Sequence, residues 1–188
     1  MIRTRVGYAG GTTKNPNYRN MGDHTEVFQV DFDRTKTSFA DLLAVFWSQH
    51  NPCARAWSTQ YKAILFYDGD EQKKVAEASA KAVSIRLGDT VRTELRSAGT
   101  FTRAEDYHQK YSLRRYTDLV EDLKAIYPTE RAFQDATAVA KVHGYIDTHL
   151  TLVELRAELE ALGLRAVGED VLEGIERAPA EAVEAKGS

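Results

Sequence analysis

The stretch "HTEVFQVDFD" (24–33) alternates in a way that suits only an extended strand. Glu26, Phe28, Val30 and Phe32 fall on one side, and Val27, Gln29 and Asp31 on the other. A helix would scatter these apolar side chains around its axis, whereas a strand gathers them on one face. The spacing predicts a strand with one strongly buried face. Glu26 shares that face, which sets a carboxylate at the mouth of the buried side.

The flanking segments give this strand its company. Thr4 to Tyr8 predicts a first strand, running into a loop from Ala9 to Asp23 that carries Gly10-Gly11, Asn15-Pro16 and Gly22. "SFADLLAVFWSQH" (38–50) predicts a helix with Ser38 and Asp41 as an approximate capping box, a Leu42/Val45/Phe46 stripe and a stop at Asn51-Pro52. "QYKAILFY" (60–67) and "TVRTELR" (90–96) read as strands around a helix over 70–88 that closes at Gly88. A helix is expected from near Arg103, with a break, to Tyr127, where Pro128 stops it. A shorter helix is expected over 130–142, and another over 151–163 with Thr151 and Glu154 as its capping box.

The order β–loop–β–α–β–α–β–α is that of an α+β plait, two layers with a mixed sheet covered by helices. The helices beyond residue 115 form an all-helical C-terminal extension. The expected organisation is a domain over 1–115, the extension over 116–175 and a small, polar, disordered tail over 176–188. Four short strands make an incomplete sheet, because the unpaired backbone of a central strand is costly.

Composition narrows the function classes. Of 188 residues, 43% are hydrophobic, enough for a real core. A formal charge of −3 and a pI near 6.0 give no electrostatic case for nucleic acid or an acidic membrane. No apolar run has the length of a membrane span, and the first residues show no signal-peptide pattern. A single cysteine, Cys53, excludes an intrachain disulfide framework. A cytoplasmic, monomeric protein in a reducing compartment is expected.

Three stretches carry polar residues at odds with simple packing: Tyr18 beside Asn15-Pro16, "GDHTE" with His24 and Glu26, and "AEDYHQKY" (104–111). On a helix, Asp106 and Lys110 share a face, and Tyr107 and Tyr111 a neighbouring one. Together these residues have the equipment to protonate and hold a polarised oxygen, rather than to attack anything. Each has a plainer reading. Glu26 is also what a strand end meeting solvent looks like, Tyr18 and Tyr111 are also amphipathic packing, and Asp106 also complements a helix dipole. His24, Glu26, Asp106 and His108 are potential metal ligands, although their spacing matches no dedicated signature. Gly10-Gly11 is not followed by a helix and makes no phosphate loop.

The blocks "TRVGYAGGTTKNPNY", "GDHTEVFQVDFD", "LLAVFWSQHNP", "TQYKAILFY" and "AEDYHQKY" occur in the order and spacing of the peptide-methionine (S)-S-oxide reductases. The chain resembles this family over about residues 2–111, and the rest is similar to the helical extension of one of its branches. The resemblance implies thiol chemistry: a thiolate attacks the sulfoxide sulfur, the oxygen is protonated, methionine leaves and a sulfenic acid remains. By the same resemblance Glu26 is the proton donor, kept protonated by burial. Tyr18 and Tyr111 hydrogen-bond the oxygen, and Asp106 orients the polar network. The implied substrates are oxidised methionine in proteins or free methionine sulfoxide, as in protein repair under oxidative stress. The implied reductant is an external thiol such as thioredoxin, with no cofactor.

The family nucleophile stands in a Gly-Cys-Phe-Trp-Gly block, at the start of a helix whose dipole helps form the thiolate. That block precedes the position matching Met1, and no copy occurs among the 188 residues. The family's first strand and helix are accordingly expected to be missing. Members tend to read Gly-Val-Ile-Arg-Thr where this chain has Met1-Ile2-Arg3-Thr4, which fits a valine start codon or an upstream selenocysteine codon read as a stop. Cys53 follows Asn51-Pro52 in a loop, with no helix N-terminus to activate it, so it is not expected to be the nucleophile. Two functions follow: a reductase whose thiol is not in these residues, inactive as the chain stands, or a non-catalytic methionine-sulfoxide-binding module.

Overall fold

The computed structural model of the chain describes residues 1–147 and 151–161. The fold is α+β. The chain divides into two compact units, one of Met1 and Val6–Glu105, the other of Ile2–Arg5 and the residues from Asp106 onward.

β1 (Arg3–Ala9), which belongs to the first unit from Val6 on, lies between β2 (Thr25–Asp31) and β5 (Thr102–Arg103). β1 and β5 run antiparallel, with Gly7 opposite Arg103 and Tyr8 opposite Thr102. β3 (Ile64–Tyr67) and β4 (Glu94–Ser97) form a second, parallel pair. Parallel neighbours need a crossover, and α2 (Gly69–Leu87) supplies it. The expected mixed sheet is thus divided into a three-stranded sheet and a separate parallel pair. Individual bonds tie them: the Glu26 N–H donates to Gln60 O at 3.2 Å, and Arg96 Nη1 donates to Gly10 O at 3.2 Å.

α1 (Phe39–Ser48) starts on a full capping box, Ser38 Oγ accepting from the Asp41 N–H and Asp41 from the Ser38 N–H. Its buried face differs from the Leu42/Val45/Phe46 stripe of the sequence reading. Leu43 and Trp47 are buried, with Phe39 and Phe46 against them, and Val45 is exposed. The reason is the partner: this face packs on Ala76 and Val83 of α2 and on Leu65 and Leu95 of the parallel pair. α2 ends where Gly88 takes φ 65°, the left-handed cap that glycine adopts without strain.

The strongly buried face expected on β2 is a second correction. Phe28 is 63% exposed, Glu26 is exposed, and Val30 and Phe32 are only half-buried. β2 is the edge strand of its sheet, and both helices of the unit pack on β3 and β4 instead.

The helix expected from Arg103 is the third. Thr102 and Arg103 pair with β1, and two 3₁₀ turns (Asp106–His108 and Leu113–Arg115) follow in place of the first part of that helix. Lys110 then has φ 56°, which no right-handed helix contains. Its ammonium, buried, donates to the Thr4 carbonyl at 2.9 Å and to the Thr4 hydroxyl. Asp106/Lys110 and Tyr107/Tyr111 therefore do not share helix faces.

In the second unit, α3 (Thr117–Ile126) ends before Pro128 as expected. The helix expected over 130–142 is two helices, α4 (Glu130–Asp135) and α5 (Thr137–Ile146). Ala136 between them is extended (φ −70°, ψ 134°), closing one and opening the next. α6 (Leu152–Ala161) has the Thr151/Glu154 capping box. Phe133, Leu119, Leu123, Val139, Leu155 and Leu159 are fully buried together. Each such side chain contributes about 1.5–3 kcal/mol by leaving water. The expected end of this last helix at Leu162 and Gly163, and the expected tail over 176–188, lie outside the described residues.

Candidate functional site

The loop before β2 is closed by its own polar groups. The Asp23 carboxylate accepts the Thr13 and Thr12 N–H groups at 3.0 and 2.8 Å, and both threonine hydroxyls. These bonds, the backbone ones first, hold its carboxyl well below the ordinary range. Gly22 beside it has φ 62°, and a Cβ there would stand 2.0 Å from Thr13 Oγ1. His24 is buried, and both its ring nitrogens bind the loop backbone. Nδ1 accepts from the Gly11 N–H at 3.2 Å, and Nε2 stands 2.9 Å from the Thr13 carbonyl. A carbonyl only accepts, so the proton is on Nε2 and the ring is neutral. His24 is therefore a structural clip with no nitrogen to spare for a metal. Among the described residues, no group of three or more His, Cys, Asp or Glu is placed to hold one.

The closed loop carries Tyr18 on a tight Asn17–Asn20 turn. The Tyr18 N–H donates to Glu105 Oε1 at 3.0 Å, and the other oxygen of Glu105 accepts the Tyr8 hydroxyl at 2.7 Å. Tyr8 is 2% exposed, so the Tyr18 backbone is anchored through Glu105 to the core of the unit.

Glu26 opens β2 on its exposed face. Its Oε1 accepts from Gln60 Nε2 at 2.7 Å, and the same nitrogen donates to Tyr61 Oη at 2.8 Å. The Tyr18 phenol lies beside that of Tyr61. Desolvation first, then the nearby Glu26 charge, pushes the Tyr61 hydroxyl above its usual range, so it remains a proton donor. Trp57, 79% exposed, lies against Tyr61 with ring centroids 5.0 Å apart. The main chain of residues 59–60 is clipped to β2 by Glu26 N–H to Gln60 O, and by Thr25 Oγ1 to Thr59 O at 2.9 Å.

The structure thus brings Glu26 and Tyr18 into one cluster, joined by two residues the sequence reading passed over, Gln60 and Tyr61. Their signal was the polar "TQY" just ahead of an apolar strand. Glu105, which anchors Tyr18, was also missed, one position from the singled-out Asp106. Asp106 and Tyr111 belong to the second unit. Asp106 Oδ1 accepts from Gln134 Nε2 at 2.6 Å, and Tyr111 is exposed. Cys53 is half-buried in the loop after the C-terminal end of α1, where its N–H donates to Asn51 Oδ1 at 3.0 Å.

A carboxyl group and two phenols, linked on an open strand face, are equipped to hold and protonate a polar oxygen. That gives an α+β protein with a candidate acid–phenol site. The chain belongs to the peptide methionine sulfoxide reductase family: the sequence model described as "Peptide methionine sulfoxide reductase" matches residues 1–142. Among curated relatives, a peptide methionine sulfoxide reductase of Drosophila melanogaster is 38% identical over 170 residues, 87% of this chain and 66% of the relative. Peptide methionine sulfoxide reductase A5 of Arabidopsis thaliana is 33% identical over 151 residues, 77% of this chain and 59% of the relative. Peptide methionine sulfoxide reductase MsrA of Methanothermobacter thermautotrophicus is 39% identical over 122 residues, 59% of this chain and 72% of the relative. The chain spans 66% and 59% of the length of the first two. Among the described residues, no helix is long and apolar enough to cross a membrane.

Proposed function

We propose that this chain takes part in the reduction of methionine-(S)-sulfoxide, free or in proteins, to methionine. Glu26 gives its proton to the sulfoxide oxygen, and Tyr18 and Tyr61 donate hydrogen bonds to it. The observation that carries this reading is the run of hydrogen bonds from Glu26 through Gln60 to Tyr61, with the Tyr18 phenol beside it.

The step balances as follows. A thiol sulfur bonds to the sulfoxide sulfur, and the thiol proton is lost. The oxygen takes a proton from Glu26 and passes to the thiol sulfur as a sulfenic acid, and the thioether leaves. Two equivalents of an external thiol, from a thioredoxin-like partner, then return the sulfenic acid to thiol with release of water and a disulfide. No prosthetic group enters. We assign the attacking thiol to a group outside these 188 residues. The single cysteine, Cys53, lies in the loop past the C-terminal end of α1 and takes no part in the hydrogen bonds of the Glu26 cluster. The setting is a reducing cytoplasm, and the chain acts as a monomer.

Two measurements on the 188-residue chain test this. Calorimetry should show N-acetyl-methionine-(S)-sulfoxide N-methylamide binding more tightly than the thioether; equal or absent binding of both refutes the site. Dithiothreitol should drive negligible sulfoxide reduction. Robust turnover abolished by Cys53→Ser would overturn the assignment of the thiol. Because Cys53 stands apart from the acid, a second reading is a sulfoxide-binding module, which predicts binding with no turnover even when a small-molecule thiol is abundant.

A further inference from the structure

The Gln60 side chain touches both the acid and a phenol. Its Nε2 carries two hydrogens, and two oxygens lie in front of it, Glu26 Oε1 at 2.7 Å and Tyr61 Oη at 2.8 Å. Each hydrogen is therefore committed to one of them. The consequence for Glu26 is positional. A carboxylic acid has one O–H and one purely accepting oxygen, and an oxygen already accepting an N–H at this distance cannot aim its own hydrogen at the same nitrogen. Oε1 is then the carbonyl oxygen of the acid, and the transferable proton sits on Oε2. The consequence for Tyr61 is one of direction. With its oxygen accepting from Gln60, its own hydrogen turns away from Gln60 and is available to a bound sulfoxide oxygen.

We propose that Gln60 is a positioning residue that decides which oxygen of Glu26 carries the acid proton and which way the phenolic hydrogen of Tyr61 points. This rests on the reading of Glu26 as the acid facing the sulfoxide oxygen. Gln60 itself need not touch the substrate. Its place is kept by the main-chain bond from the Glu26 N–H and the neighbouring Thr25–Thr59 bond, neither of which uses its side chain. Shortening that side chain leaves the loop attached and removes only the orienting amide.

The test is a double-mutant cycle read as ligand binding by the 188-residue chain, using N-acetyl-methionine-(S)-sulfoxide N-methylamide and the corresponding thioether. Gln60→Ala should weaken the sulfoxide by roughly 5- to 10-fold, the worth of one oriented hydrogen bond, and change thioether binding by less than about twofold. In a Glu26→Ala background the same Gln60→Ala change should weaken sulfoxide binding by less than about twofold. Equal losses in both backgrounds, or equal losses for sulfoxide and thioether, would show a merely structural residue and overturn the proposal. Glu26→Ala binding the sulfoxide as tightly as the parent would instead remove the acid reading, and this inference with it. An impaired Glu26→Ala with an additive cycle removes the role of Gln60 alone.

Discussion

Glu105→Ala should loosen the first unit and its site together. The carboxylate takes the Tyr8 hydroxyl at 2.7 Å and the Tyr18 N–H at 3.0 Å. The first bond leads into the core, since Tyr8 is 2% exposed, and a hydrogen bond to a charged acceptor in that setting is worth about 1.5–3 kcal/mol. The second lies at the surface and is worth about 0.5–1 kcal/mol. Their loss amounts to about 2–4 kcal/mol, a large part of the roughly 5–15 kcal/mol that holds a typical domain. Glu105→Gln keeps an accepting oxygen and the side-chain shape, so it should cost only about 1 kcal/mol. Native-state hydrogen exchange reads this directly. The slowest amides of β1 should exchange about 30- to 900-fold faster in Glu105→Ala, at 1.36 kcal/mol per tenfold. Sulfoxide binding should weaken as well, because the backbone that carries Tyr18 has lost its anchor. Unchanged exchange in β1, with sulfoxide affinity intact, would refute the argument that Glu105 couples the Tyr18 turn to the core.

In the second unit, Glu130 is held down to about 2 by its hydrogen bond to Arg114 at 2.6 Å, with Lys124 adding to it. A depressed carboxyl contributes stability that is present above its unfolded value near 4.5 and lost as pH falls through about 2. Glu130→Gln should therefore flatten the stability profile across that window and leave it parallel to the parent at neutral pH. Phe133→Ala removes a fully buried ring and should cost about 3–5 kcal/mol in denaturant unfolding; less than 1 kcal/mol would contradict the packing. Tyr111→Phe and Asp106→Asn test the roles implied by resemblance. Sulfoxide affinity reduced about fivefold or more, with thioether binding unchanged, supports them. Unchanged affinity removes them from the chemistry.

Local signals in the sequence translated well. The Ser38/Asp41 and Thr151/Glu154 boxes, the Gly88 cap and the Pro128 stop are all present, because each is settled by a few neighbouring residues. Facing was less legible. The β2 alternation correctly called for a strand, yet its apolar side is exposed at Phe28, because alternation fixes only which residues share a side, not what packs there. The "AEDYHQKY" stretch has helical spacing, but Lys110 turns left-handed where its ammonium meets Thr4, a contact 106 residues away that no local pattern encodes. The site was half visible. Tyr18 and Glu26 stood out as polar residues in unusual company, whereas Gln60 and Tyr61 gain their meaning only when residues 59–60 are clipped to β2.

The two tryptophans of this chain sit at opposite extremes, Trp47 5% exposed in the first unit's core and Trp57 79% exposed on Tyr61 beside the acid. The protein therefore carries its own pair of optical labels. Trp47 emits from an apolar surrounding and responds to loss of the fold, while Trp57 emits from water and responds to whatever arrives beside Glu26. An aqueous quencher such as acrylamide silences the second and spares the first. A Trp47→Phe variant then reports occupancy of the site by fluorescence alone, and a Trp57→Phe variant reports integrity of the core, with no dye attached to either.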